Sequence, residues 1–107
     1  MTEMTLEQLQ ERVWSVIESR GMGTSIDVRI DKFEKEVSEL FDAVVRYEQA
    51  DEADKPRMVA AIAEECADVR MTLLALERSM RITNPTEITL AKIEDTEERY
   101  QKTENNN

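Results

Sequence analysis

The sequence predicts an all-α protein, folded as a four-helix bundle. Only two glycines and two prolines interrupt its 107 residues. Apolar residues recur at intervals of three and four, which is the helical period. Turn and cap residues divide the chain into four such windows. A chain of this length holds one core, so we expect a single domain over residues 1–103 and a frayed polar tail at 104–107.

The first two windows predict amphipathic helices. Helix one covers about residues 5–20, where Thr5 can cap its start and Gly21 can end it. Helix two begins at Ser25 or Asp27 and extends to Ala50. Each helix has an apolar stripe that is expected to face the core. The stripes consist of Leu6, Leu9, Val13, Val16 and Ile17 in helix one, and of Ile30, Phe33, Val37, Leu40, Phe41 and Val44 in helix two.

The second half of the chain predicts two further helices. A polar loop at 51–55 precedes Pro56, a residue favoured in a first helical turn, and helix three extends from there to Arg81. A turn at 83–86 then leads into helix four, over 87–102. The short loop after helix two predicts that helices two and three form an antiparallel hairpin. Helix three carries a long seam, which predicts self-association: Val59, Ile62, Cys66, Val69, Leu73, Leu76 and Met80.

Composition excludes several classes of function. The 24 acidic residues outnumber the 14 basic ones and give a net charge of -10, which disfavours binding to nucleic acid or anionic membranes. The chain has no histidine, so it cannot form a Ser-His-Asp triad or a His-ligated zinc site. Its two glycines, Gly21 and Gly23, cannot supply a phosphate-binding loop or a dinucleotide fingerprint.

Localisation is predicted from two features. The single cysteine, Cys66, forms no internal disulfide and fits a reducing compartment. No signal peptide and no membrane-length apolar run occurs in the sequence. These features predict a soluble cytoplasmic protein with no membrane partner.

Four carboxylates are candidates for a metal site. Glu36 and Glu39 lie three positions apart on helix two, and Glu65 and Asp68 have the same spacing on helix three. This spacing places each pair on one helical face, so an antiparallel hairpin could bring all four to one pocket suited to a hard divalent cation. The same spacing recurs in other acidic pairs of the chain, where a solvated helix face is the simpler interpretation. Glu65 lies beside the apolar seam, which favours the metal site.

The run from Lys32 to Leu40, followed later by Glu65-Cys66-Ala67-Asp68-Val69, resembles the signature of the MazG-like all-α nucleoside triphosphate pyrophosphohydrolases. The resemblance spans about residues 5–100 and includes Val13-Trp14 on helix one. It implies that Glu36, Glu39, Glu65 and Asp68 ligate metal and that Glu36 and Glu39 act in catalysis. The chain departs from the family at Lys35, which stands where relatives have a glutamate.

The activity implied by the resemblance is the hydrolysis of an NTP or dNTP to its monophosphate and pyrophosphate, with Mg²⁺ or Mn²⁺ as cofactor, in nucleotide-pool housecleaning. The implied assembly is a homodimer or homotetramer. The predicted substrate contacts are Lys32, Lys35, Lys92, Arg99 and Trp14. For Trp14, packing in the core or at a subunit interface is the competing interpretation. The alternative for the whole protein is a non-catalytic acidic helical bundle that binds other proteins and keeps a degenerate metal site.

Overall fold

The computed structural model of the protein describes the backbone of residues 3–105 and the side chains of residues 3–102. Within that range the chain forms four helices and no strands, which confirms the prediction of an all-α protein. The helices are α1 (Leu6–Ser19), α2 (Ile26–Gln49), α3 (Lys55–Ser79) and α4 (Pro85–Asn105). The predicted tail at 104–107 begins inside α4, and residues 106–107 lie outside the described range.

The helix ends follow from local sequence. Thr5 and Gln8 form a reciprocal capping box at the start of α1: the Gln8 backbone N–H donates to Thr5 Oγ1 at 3.1 Å, and the Thr5 N–H donates to Gln8 Oε1 at 2.8 Å. Gly21 ends the helix in the left-handed region, at φ +64°, which glycine adopts without strain. The Ser25 hydroxyl accepts from the Val28 N–H to cap α2. Pro56 lies in the first turn of α3, as predicted.

Two contacts organise the bundle. A short connection at 50–54 folds α3 back onto α2, and these helices pack closely along their length as a hairpin. Helix α1 packs on α3, where the buried core consists of Trp14, Ile17 and Ala75. Helix α4 contacts mainly α1, and all its side chains from 86 to 102 are exposed. The hairpin and α1 therefore form the body of the bundle.

A buried glutamine joins α1 to the end of α3. Gln10 is only 1% exposed, and its Nε2 donates to the carbonyl of Leu74 at 3.1 Å and to that of Ile82 at 3.0 Å. The apolar stripe predicted for helix one did not include this residue. Burial of its amide is favourable because both N–H groups have acceptors.

The predicted apolar stripes are wider than the surface that the single chain covers. Phe41 is 68% exposed, and Val16, Val37, Leu73 and Met80 are also exposed. The reason is geometric: α2 is covered mainly by α3, and α4 does not close over the hairpin. None of the described helices combines the length and apolarity needed to cross a bilayer.

Candidate metal centre

Three of the four predicted acids converge between α2 and α3. Glu36 lies midway along α2, while Glu65 and Asp68 lie one turn apart on α3. Each offers a carboxylate oxygen, and these oxygens all lie within 4.8 Å of one another. The hairpin therefore brings together side chains separated by about thirty positions in the sequence.

Glu39, the fourth predicted acid, belongs to the same electrostatic neighbourhood. It follows Glu36 by one helical turn and is half-buried. Its charge and a side-chain hydrogen bond with Glu36 both act on the Glu36 carboxyl. Glu39 therefore lies at the edge of the group formed by Glu36, Glu65 and Asp68, and we call these four residues the acidic cluster.

The electrostatics of the acidic cluster disfavour four negative charges. Burial raises the pKa of Glu36, and the charges of Glu39, Asp68 and Glu65 raise it further. Oε2 of Glu36 and Oε2 of Glu65 are buried and accept no hydrogen bond. Buried carboxylate oxygens without donors are costly, so the arrangement favours a bound proton or a bound cation.

Among the described side chains, no Lys or Arg forms an ion pair with a member of the acidic cluster. Within residues 3–102, the ion pairs formed by Lys and Arg all involve other acids, such as Glu11, Glu52 and Asp95. The most direct compensation for the clustered carboxylates would then be an external cation. The donor set fits Mg²⁺ or Mn²⁺, which prefer oxygen ligands and bind carboxylates together with water and phosphate.

The predicted substrate contacts on α2 and α4 are dispersed. Lys32 and Lys35 are exposed on α2, the helix that carries Glu36 and Glu39. Lys92 and Arg99 are exposed on α4, which contacts mainly α1 rather than the hairpin. Arg99 forms an ion pair with Asp95 at 2.9 Å. The structure thus brings neither Lys92 nor Arg99 onto the helices of the acidic cluster.

Trp14 lies in the core of the molecule. It is 8% exposed, packs with Ile17 and Ala75, and carries the Arg78 guanidinium over its ring at 5.2 Å from the centroid. This environment is the one expected for a packing residue, and it leaves little ring face for a nucleobase within one chain.

Sequence reasoning missed Arg29. This residue is the one fully buried position of α2 among the described residues, at 3% exposure. A signal was present, because Arg29 precedes Phe33 by four positions and Glu36 by seven and so shares their face of the helix. An arginine is ordinarily a surface residue, and the burial of Arg29 becomes apparent only where it lines a cavity together with residues of α1 and α3.

Comparisons with known protein families, curated proteins and solved structures gave no match to this chain. The resemblance to MazG-like enzymes therefore stays a prediction, and the geometry of the acidic cluster has to support any functional conclusion on its own.

Proposed function

We propose that the protein is a magnesium-dependent nucleoside triphosphate pyrophosphohydrolase of MazG-like type. The observation that supports this most strongly is the convergence of carboxylate oxygens from Glu36, Glu65 and Asp68. Glu36 and Glu65 each have one buried carboxylate oxygen that accepts no hydrogen bond. An all-helical scaffold without histidine leaves carboxylates as the main chemical groups available for catalysis. Hydrolysis of a phosphoanhydride bond assisted by a divalent cation is a reaction that such groups can support.

The chain's residues have distinct roles in this proposal. Glu36, Glu65 and Asp68 hold the cation in the hairpin. When bound, Mg²⁺ supplies positive charge to phosphate oxygens and lowers the pKa of water. The net charge of -10 would otherwise repel a triphosphate, so the protein depends on a cation to admit its substrate.

Proton transfer is assigned to Glu36 and Glu39. Burial and the neighbouring charges raise the pKa of Glu36, and a bound cation would favour its ionised form. Glu39 is not one of the three converging carboxylates, and it lies close enough to raise the pKa of Glu36. Its carboxylate is placed to accept a proton from attacking water. Exposed Lys35 occupies the position where the family has a further glutamate, so no carboxylate at that position can share in the proton transfer.

Self-association is part of the same proposal. Large apolar side chains are exposed on several helices, including Phe41 on α2, Met80 after α3 and Ile88, Leu90 and Ile93 on α4. A second copy of the chain could bury these residues, and a homodimer or homotetramer would complete the bundle. The measurement is the molar mass in solution by light scattering. A monomer at all concentrations contradicts this part of the proposal.

Pyrophosphate release tests the activity. Protein treated with EDTA is assayed over a panel of ribo- and deoxyribonucleoside triphosphates, with and without added Mg²⁺, and its thermal unfolding is recorded under the same conditions. We expect Mg²⁺ to raise the melting temperature, because it binds the folded state, and to be required for turnover. Glu65→Gln should abolish both responses, since it removes a ligand charge from the centre of the cluster.

The matched control is Glu34→Gln, which removes the same charge from an exposed position of α2. This variant should keep the magnesium response and the activity. An absent magnesium response in the unmodified protein contradicts the proposal. A magnesium response without turnover of any triphosphate favours instead an interaction protein with a degenerate metal site, a function that the exposed apolar residues also suit.

A further inference from the structure

A cavity of about 440 Å³ lies between α1, the start of α2 and the later part of α3, apart from the acidic cluster. Its walls are mainly apolar and include Leu9, Val13, Met22 and Met71. The charged residues among its lining are Arg12 and Arg29, and no lining residue is acidic. An entirely basic set of charges is unexpected in a protein whose acidic residues outnumber its basic residues by ten.

Arg29 has no partner within the described chain. Its side chain is buried, and both Nε and Nη2 lack a hydrogen-bond acceptor. It forms none of the ion pairs found within residues 3–102. A guanidinium cannot lose its proton in a protein, so it cannot escape burial by becoming neutral. Only an acceptor from outside this set of residues can satisfy it.

The two unpartnered nitrogens define the shape of that acceptor. Nε–H and one Nη2–H point in parallel from the same edge of the guanidinium plane. When the side chain turns this enclosed edge toward the cavity that Arg29 lines, it can form bidentate hydrogen bonds with two oxygens of a phosphate or carboxylate. Arg12 adds a second positive charge to the cavity lining. The mainly apolar walls lower the local dielectric constant and so strengthen an interaction between charged groups.

We propose that this cavity is a phosphate-binding site in which Arg29 is the principal contact. Arg29 precedes Glu36 by seven residues on the same face of α2, or about 10 Å along the helix axis. If the protein hydrolyses nucleoside triphosphates as proposed above, the bound group is a phosphate of the nucleotide. The other source of the same chemistry is free inorganic phosphate or pyrophosphate.

The test uses the full chain in EDTA, so that the acidic cluster binds no metal. Thermal unfolding is followed while inorganic phosphate is added, with sodium chloride at equal ionic strength as the reference. We expect phosphate to raise the melting temperature with saturation, and Arg29→Met to remove that response. Arg46→Met is the matched control, because Arg46 is exposed on the same helix; it should respond as the unmodified protein does.

A second measurement uses only the unmodified protein, so it does not depend on whether a variant folds. In the ¹⁵N-labelled unmodified protein, the Nε–H resonance of Arg29 should shift as phosphate binds, with the same midpoint as the melting curve. The proposal is overturned if phosphate has no effect beyond that of chloride, or if Arg29→Met responds equally. It is also overturned if a carboxylate from a second copy fills the cavity, since phosphate then has no site.

The experiments distinguish failure of the phosphate-binding proposal from failure of the proposed enzyme function. Glu65→Gln in EDTA should keep the phosphate response although it loses the magnesium response, and Arg29→Met should show the reverse. A rise in KM of about tenfold or more for the triphosphate in Arg29→Met identifies the substrate's phosphate as the ligand. An unchanged KM with a lost phosphate response identifies free phosphate. Turnover without any phosphate response refutes the cavity proposal and leaves the enzyme intact.

Discussion

Two groups of buried polar atoms in this protein differ in how well they are satisfied. Between α1 and the end of α3, Gln10 donates both of its amide hydrogens to backbone carbonyls. Between α2 and α3, Glu36 and Glu65 each bury a carboxylate oxygen that accepts nothing. The first group is complete within the chain. The second carries excess negative charge, and no described Lys or Arg forms an ion pair with it.

Whether a buried polar group has hydrogen-bond partners within the chain distinguishes a structural role from a functional one. A satisfied buried amide stabilises one arrangement of the helices, whereas unsatisfied charges destabilise the fold and persist where they bind something. Substitution in the two groups should therefore have opposite consequences for stability.

Glu36→Gln should lower turnover about 100-fold or more, because a ligand charge and a proton-transfer group are lost together. In EDTA the same variant should have a higher melting temperature than the unmodified protein, since a neutral amide relieves repulsion from Glu39, Asp68 and Glu65. Steady-state kinetics and calorimetry measure the two effects. A variant that is less stable without metal, with Glu34→Gln as control, would falsify the claim that the cluster is strained.

Gln10→Met should destabilise the protein by about 2 kcal/mol or more, because Leu74 and Ile82 lose their shared donor while the side chain keeps its size. Urea unfolding with and without Mg²⁺ measures the loss, which should not depend on the metal. Gln49→Met, at the exposed last position of α2, is the control and should be nearly neutral. A loss equal to that of the control contradicts a structural role for Gln10.

The stability of the metal-free protein should fall as the pH rises from just above the ordinary carboxyl pKa toward neutrality. Glu36 and Glu77 both have raised pKa values, Glu36 through burial and neighbouring charges and Glu77 through burial. Just above the ordinary carboxyl pKa, the folded state thus binds more protons than the unfolded state, and the free energy of unfolding decreases with pH.

Melting temperatures across this range in EDTA measure the slope. Glu36→Gln should remove the Glu36 contribution and leave that of Glu77, and Glu77→Gln should do the converse. Stability that rises with pH in metal-free protein would contradict the prediction.

The smallest effect concerns the attachment of α4. The Thr86 hydroxyl donates to Glu7 Oε2 at 2.6 Å, and this hydrogen bond lowers the pKa of Glu7. Thr86→Val should accelerate amide hydrogen exchange in the first turn of α4 while the global melting temperature changes little. Thr96→Val, which removes a hydroxyl bonded only to the backbone of α4 itself, is the control. Unchanged exchange in Thr86→Val would show that other contacts hold this end of α4.

The elements could be predicted from sequence because their causes are local. The Thr5 cap, the Gly21 stop and Pro56 in the first turn of α3 each act within a few residues. The convergence of Glu36 with Glu65 and Asp68 could also be anticipated, because equal spacing on two antiparallel helices places acids on facing surfaces.

The burial of other residues depends on contacts between helices, which the periodicity of the sequence does not predict. Phe41 lies on a predicted apolar stripe and is exposed, because no helix of the chain covers that side of α2. Gln10 is polar and buried because α1 packs on α3, and Arg29 is buried where it lines the cavity between α1, α2 and α3. Pattern reading ranks residues by hydrophobicity and therefore misplaces all three.

Four helices, the caps of α1 and α2 and a pair of acidic faces could be read from the sequence, since helical period and capping are short-range properties. Which buried polar groups have partners and which have none became apparent only from the packing of the helices. Enclosure depends on how helices distant in sequence cross, and the energy of a buried charge depends on the atoms that those crossings place around it.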